Sequence, residues 1–87
     1  MRSLQFTVTA ERSIIVAADD INRTVYINVT GNTAIAVGGS NVTYANGLIF
    51  EKHDTPHEVF VPLKELLYAV CDTGASADVR VLLPNGD

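Results

Sequence analysis

Residues 37–50, VGGSNVTYANGLIF, press two glycine-containing turns between apolar runs and read as a loop joining two strands. Gly38 and Gly39 can take positive φ without steric cost, and Asn46-Gly47 is the dipeptide that favours a type I′ hairpin turn. Turns this close leave only 41–44 for an extended segment. Such a loop positions surfaces and performs no chemistry unaided.

Outward from the loop, the chain alternates. Over 23–30, Val25, Ile27 and Val29 share one face and Thr24, Tyr26, Asn28 and Thr30 the other, the period of a half-buried strand. Gly31-Asn32 then predicts a tight hairpin turn, with 33–37 returning antiparallel and Ile35 and Val37 on the core face. Leu4, Phe6 and Val8 alternate with Gln5, Thr7 and Thr9 in an N-terminal strand, and 13–17 is an apolar run ended by Asp19-Asp20.

On the far side, 48–50 is apolar and 52–56 is a polar turn ending in Pro56, which cannot donate to a ladder. His57, Val59 and Val61 alternate with Glu58 and Phe60 until Pro62 stops the strand. Between 62 and 70 two periods compete, because Leu63, Leu66, Leu67 and Val70 also sit at helical spacing. The reading places one helical turn at 63–66, then a strand. Asp72-Thr73-Gly74 makes a turn, Val79, Val81 and Leu83 alternate in a last strand, and Pro84-Asn85-Gly86 is a tail. Short strands with turn signals every ~8–12 residues predict one all-β domain over 1–87, an antiparallel β-sandwich or barrel of jelly-roll type with one short helical turn.

At 87 residues with a 47% hydrophobic fraction and one cysteine, the chain has no disulfide with which to supplement a small core. Association with further copies is the expected supplement. A net charge of −4 with six scattered basic residues excludes the basic face that nucleic acid demands. No apolar run is long enough to span a bilayer, and Met1-Arg2 leads straight into an alternating segment, so the reading expects no signal peptide, no membrane partner and synthesis in the cytoplasm.

Candidate chemistry is sparse. His53 and His57 are four apart, but Pro56 between them rules out the helix on which they would share a metal. Asp54 and Glu58 beside them read as exposed loop carboxylates. Gly38-Gly39-Ser40 lacks the lysine and following helix of a phosphate loop. Cys71, within an apolar run, reads as a buried thiol. No catalytic residue, metal or cofactor is expected, and an enzyme is not. Tyr26, Tyr44 and Tyr68 offer aromatic contact area, and Tyr26 and Tyr44 with Asn41 and Asn46 form the candidate partner-binding set.

The loop VGGSNVTYANGLIF, the following HEVFVPLKELLYAVCDTG and the closing ADVRVLLP resemble small virion proteins of tailed bacteriophages. In those a strand leads into a Val-Gly-Gly-Ser-Asn-Val-Thr loop and an Asn-Gly-Leu hairpin, then a strand, a Leu-Tyr-Ala segment and a Val-Arg-Val-Leu strand. The likeness covers about 23–83 and departs from the family at 52–56, where a Pro-Gly-Glu turn is usual. It implies a compact β-module on the phage particle: a capsid decoration or cement protein that binds the major capsid protein and stabilises the head, present as a homo-oligomer with a trimer favoured. The alternative it implies is a receptor- or carbohydrate-binding module of a head fibre or tail.

Overall fold

The computed structural model describes residues 2–52 and 56–83, which form eight strands: β1 (Arg2–Val8), β2 (Ser13–Val16), β3 (Arg23–Val29), β4 (Ile35–Gly38), β5 (Leu48–Phe50), β6 (His57–Val61), β7 (Leu67–Val70) and β8 (Ala77–Leu83). They make two four-stranded sheets, ordered β1-β8-β3-β6 and β2-β7-β4-β5, with every pairing antiparallel.

The pairing follows one rule. β4 pairs with β5, β3 with β6, β2 with β7 and β1 with β8, so the chain is one long hairpin whose tip is the 39–47 loop. Partner numbers add to 85 in β1–β8 and β4–β5, to 84 in β3–β6 and to 82 or 83 in β2–β7, so the two arms are matched in length almost residue for residue. Winding this hairpin brings β8 beside β3 and β7 beside β4, closing each sheet. Alternate arms fall into opposite sheets, and the result is a jelly roll.

The inner faces carry the residues that the alternation predicts. Val8, Val25, Ile27, Val29, Val61, Val79 and Val81 from one sheet meet Ile15, Val16, Ile35, Val37, Phe50 and Ala69 from the other in one buried cluster. The Cα radius of gyration, 11.9 Å, matches the ~12 Å of a compact domain of this length.

Three local expectations are corrected. β3 and β4 do not pair: they lie in different sheets, and 30–34 is a crossover. Five residues can bridge the ~10 Å between packed sheets, which a two-residue hairpin cannot. Thr30 fixes the start of the crossing, donating through both its backbone N–H and its hydroxyl to the carbonyl of Asp78.

The helical turn expected at 63–66 is instead a four-residue turn in which Glu65 N–H donates to Pro62 O, with Lys64 at φ 66°. Positive φ at the third position alone makes this a type II turn. The leucines that suggested a helix point elsewhere: Leu63 and Leu66 are exposed and only Leu67 reaches the core. Asp72-Thr73-Gly74-Ala75 repeats the geometry with Gly74 at φ 78° in the equivalent place.

The 39–47 loop is correctly placed between two paired strands, but neither Gly38, Gly39 nor Gly47 has positive φ and no type I′ turn forms. The expected extended segment at 41–44 is replaced by two consecutive turns, described next. His53, Asp54 and the tail at 84–86 lie outside the described residues.

Candidate functional site

The hairpin tip folds back onto the outer face of its own sheet. Val42 N–H donates to Gly39 O at 3.0 Å, and Thr43 O then accepts from both Asn46 N–H and Gly47 N–H, making a single α-turn. Thr43 and Asn46 cap it reciprocally. Thr43 N–H donates to Asn46 Oδ1 at 2.7 Å and Asn46 N–H to Thr43 Oγ1 at 3.3 Å, the arrangement of a capping box. Asn46 Nδ2 donates to Asn41 O, so the Asn46 amide is spent on the loop's own backbone. Arg12 ties the loop to the β1–β2 connection through Ser40 O.

The turn drives Val42 into a second small core with Ala36 and Val70, flanked by Tyr44 and Tyr68. Glycine is required there for space. A Cβ at Gly47 would lie 2.7 Å from Val42 Cγ2 and 2.8 Å from Ala36 Cβ, and one at Gly38 would lie 3.0 Å from Val42 Cγ2. The loop thus covers the outer face of β4 and β7, and Tyr44 is half-buried against it.

This placement divides the residues expected to bind a partner. Asn41, Tyr44 and Asn46 share the loop, whereas Tyr26 stands on the outer face of the opposite sheet. Tyr68 is also under the loop.

The sequence reading missed the open edge of the sandwich. β5 and β6 each end their sheet, and they meet at one side of the molecule, where Phe50 stacks on His57 at 4.3 Å and a His57 ring nitrogen lies 3.0 Å from Glu51 O. Beyond that stack the two edge strands carry exposed apolar side chains: Leu48 is 69% exposed, Phe60 61%, and Ile49 is exposed as well. Among the described residues no strand pairs with the outer side of either, and such a sheet edge can accept a further strand. A signal did exist, since Phe60 occupies the outward, polar phase of its strand beside Glu58.

Where β6 runs into the β6–β7 connection there is a structural latch. Arg23, 4% exposed, is the one buried charged side chain among the described residues. Its guanidinium donates to Ala17 O at 2.6 Å, Ile21 O at 3.2 Å and Glu65 O at 3.2 Å, joining the β2–β3 and β6–β7 connections. Leu63 N–H to Asn22 Oδ1 and Lys64 N–H to Asp19 O reinforce the join.

Cys71 is buried, its thiol donating to Val8 O at 3.3 Å, and burial pushes its pKa above the ordinary 9.0. Such a thiol is a poor nucleophile. Among the described residues no three His, Cys, Asp or Glu side chains gather as metal ligands.

Fold and surface together define a small jelly-roll module with exposed apolar side chains at its β5–β6 edge. Comparison with known proteins finds no matching family model, no matching curated protein and no matching solved structure.

Proposed function

We propose that the chain is a structural virion protein of a tailed bacteriophage, a decoration or cement protein that attaches to the major capsid protein and stiffens the head, with three copies grouped around a common axis. The observation that carries this reading is the β5–β6 edge, where Leu48, Phe60 and Ile49 are exposed on two strands that, among the described residues, end their sheets. An exposed apolar edge invites indiscriminate pairing unless a specific partner covers it. A repeating capsid surface supplies such a partner through backbone pairing and broad apolar contact. The resemblance read in the sequence over about 23–83 is what suggests a phage capsid as that surface.

Genome release on heating, measured on particles with and without the protein, tests the reading. Particles lacking it should open at lower temperature, and adding back the purified protein should restore them. Leu48→Glu and Phe60→Glu should stay folded and fail to restore. Equal heat resistance with and without the protein, together with lost adsorption to host cells, would refute attachment as cement.

A further inference from the structure

The outer face of the β1-β8-β3-β6 sheet holds an open depression of about 790 Å³. Two cross-strand rows of outward side chains bound it. In one, Gln5 lies opposite Arg80 and Arg80 opposite Asn28; in the next, Ser3 lies opposite Leu82 and Leu82 opposite Tyr26. Directly opposed residues stand ~4.5–5.5 Å apart at Cβ and diagonal ones ~7–8 Å. The sheet therefore sets one guanidinium between two planar amides, with a phenol ring one row away.

These groups are available. Tyr26 is 38% exposed, Arg80 and Gln5 are exposed, and the side chains of Gln5, Asn28 and Arg80 make no hydrogen bond or ion pair with other described residues. The chain carries a net charge of −4; among the described residues no carboxylate lines the depression, Glu58 and Asp78 standing at its margin opposite Tyr26 and one row from Arg80, and Arg80 is the one charged side chain in its lining.

We propose that this depression binds saccharides and selects those bearing a carboxylate. A pyranose ring presents one face of C–H groups, which packs on an aromatic ring such as that of Tyr26. Its hydroxyls are donors and acceptors at once, and an amide supplies both, so Gln5 and Asn28 match neighbouring hydroxyls. The planar fork of Arg80 matches a sugar carboxylate in two hydrogen bonds. A volume of about 790 Å³ lies within the usual ~300–1,000 Å³ of small-ligand sites. Polynucleotide is the poorer fit, because one arginine on an acidic chain cannot neutralise a phosphate backbone. The depression reaches the start of β6 through Pro56 and the Tyr26–Glu58 pair, but Leu48, Ile49 and Phe60 do not line it, and the proposal does not depend on capsid attachment.

A two-dimensional amide NMR titration of the whole chain tests this, with D-glucuronic acid and N-acetylneuraminic acid as probes and methyl glucoside as the neutral control. The expected result is that at least one acid shifts the amides of 3–5, 26–28 and 80–82, with an affinity about tenfold above the neutral sugar's. Arg80→Gln should reduce the acid to the neutral sugar's affinity, and Tyr26→Ala should weaken both probes about tenfold, with unchanged amide spectra elsewhere. Shifts by neither acid, shifts confined to the 39–47 loop, or an acid preference that survives Arg80→Gln would each overturn the proposal. Arg80 lies on β8, separated from β6 by β3, so particles reconstituted with Arg80→Gln should keep the parent's heat resistance and the two readings fail separately.

Discussion

Replacing Gly47 by alanine separates two reasons for a glycine by the sign of its effect. Gly47 has no positive φ, so if only backbone freedom mattered, alanine would stabilise the fold by ~0.4–1 kcal/mol through the unfolded chain. The added Cβ, however, would meet Val42 Cγ2 at 2.7 Å, Ala36 Cβ at 2.8 Å and the Val37 backbone nitrogen at 3.2 Å. Both side-chain neighbours are buried and cannot swing away. Overpacking of this kind costs ~1–3 kcal/mol. In a domain of this size 2 kcal/mol lowers the melting temperature by roughly 8–16 °C. Urea unfolding and thermal melting followed by circular dichroism measure both quantities. Gly47→Ala should also cost less on a Val42→Ala background, because the nearest contact is gone. Gly31→Ala is the control, since a Cβ there meets nothing within 4 Å. A Gly47→Ala protein as stable as the parent would refute the packing account of the loop.

Arg23→Met leaves the carbonyls of Ala17, Ile21 and Glu65 without their donor and should lower the unfolding free energy in urea by about 2–3 kcal/mol. Lys64→Gly relieves a left-handed residue and should raise stability by ~0.5–1 kcal/mol, whereas Gly74→Ala in the equivalent turn should lower it by about 1 kcal/mol, both read from urea midpoints. Because burial raises the Cys71 pKa, the unfolded chain loses its thiol proton first as pH rises; stability should therefore fall above about pH 9.0, by at most ~1.4 kcal/mol per pH unit, and Cys71→Ala should remove that slope.

The strands that were plain in the sequence are those with one wet face. β1, β3, β6 and β8 alternate because their outer faces meet solvent, and their inward residues could be named in advance. β4 and β7 gave a weaker signal. Ala36 and Val70 point outward yet are buried under the 39–47 loop, so β4 showed its phase only through Ile35 and Val37, and β7 read as a continuous apolar run without phase. That loss of phase is what let a helical reading compete over 62–70. Arg23 was illegible for the opposite reason: a charge in the inward phase looks like a strand end until the carbonyls of three other residues are brought around it. Of the expected partner-binding residues, Tyr26 stands on an open face, while Asn46 turned out to be spent on its own turn, which no spacing rule distinguishes from an exposed amide.

Pairing was the least legible level, and the nested register explains why. Neighbouring strands in sequence are expected to form hairpins, and among the eight only β4 and β5 do so. Every other pair is matched through the equal lengths of the two arms, a property of the whole chain that no local window contains. A slip of one residue at the tip would move every later pair by one and turn apolar side chains outward along each strand. The tip must therefore be fixed tightly, and the capping pair Thr43–Asn46 and the side-chain-free positions at Gly38 and Gly47 fix it. The concentration of special residues in 37–50 thus answers a demand of folding. The surfaces that the register leaves uncovered, the β5–β6 edge and the outer face around Tyr26 and Arg80, are therefore where the two proposals place binding.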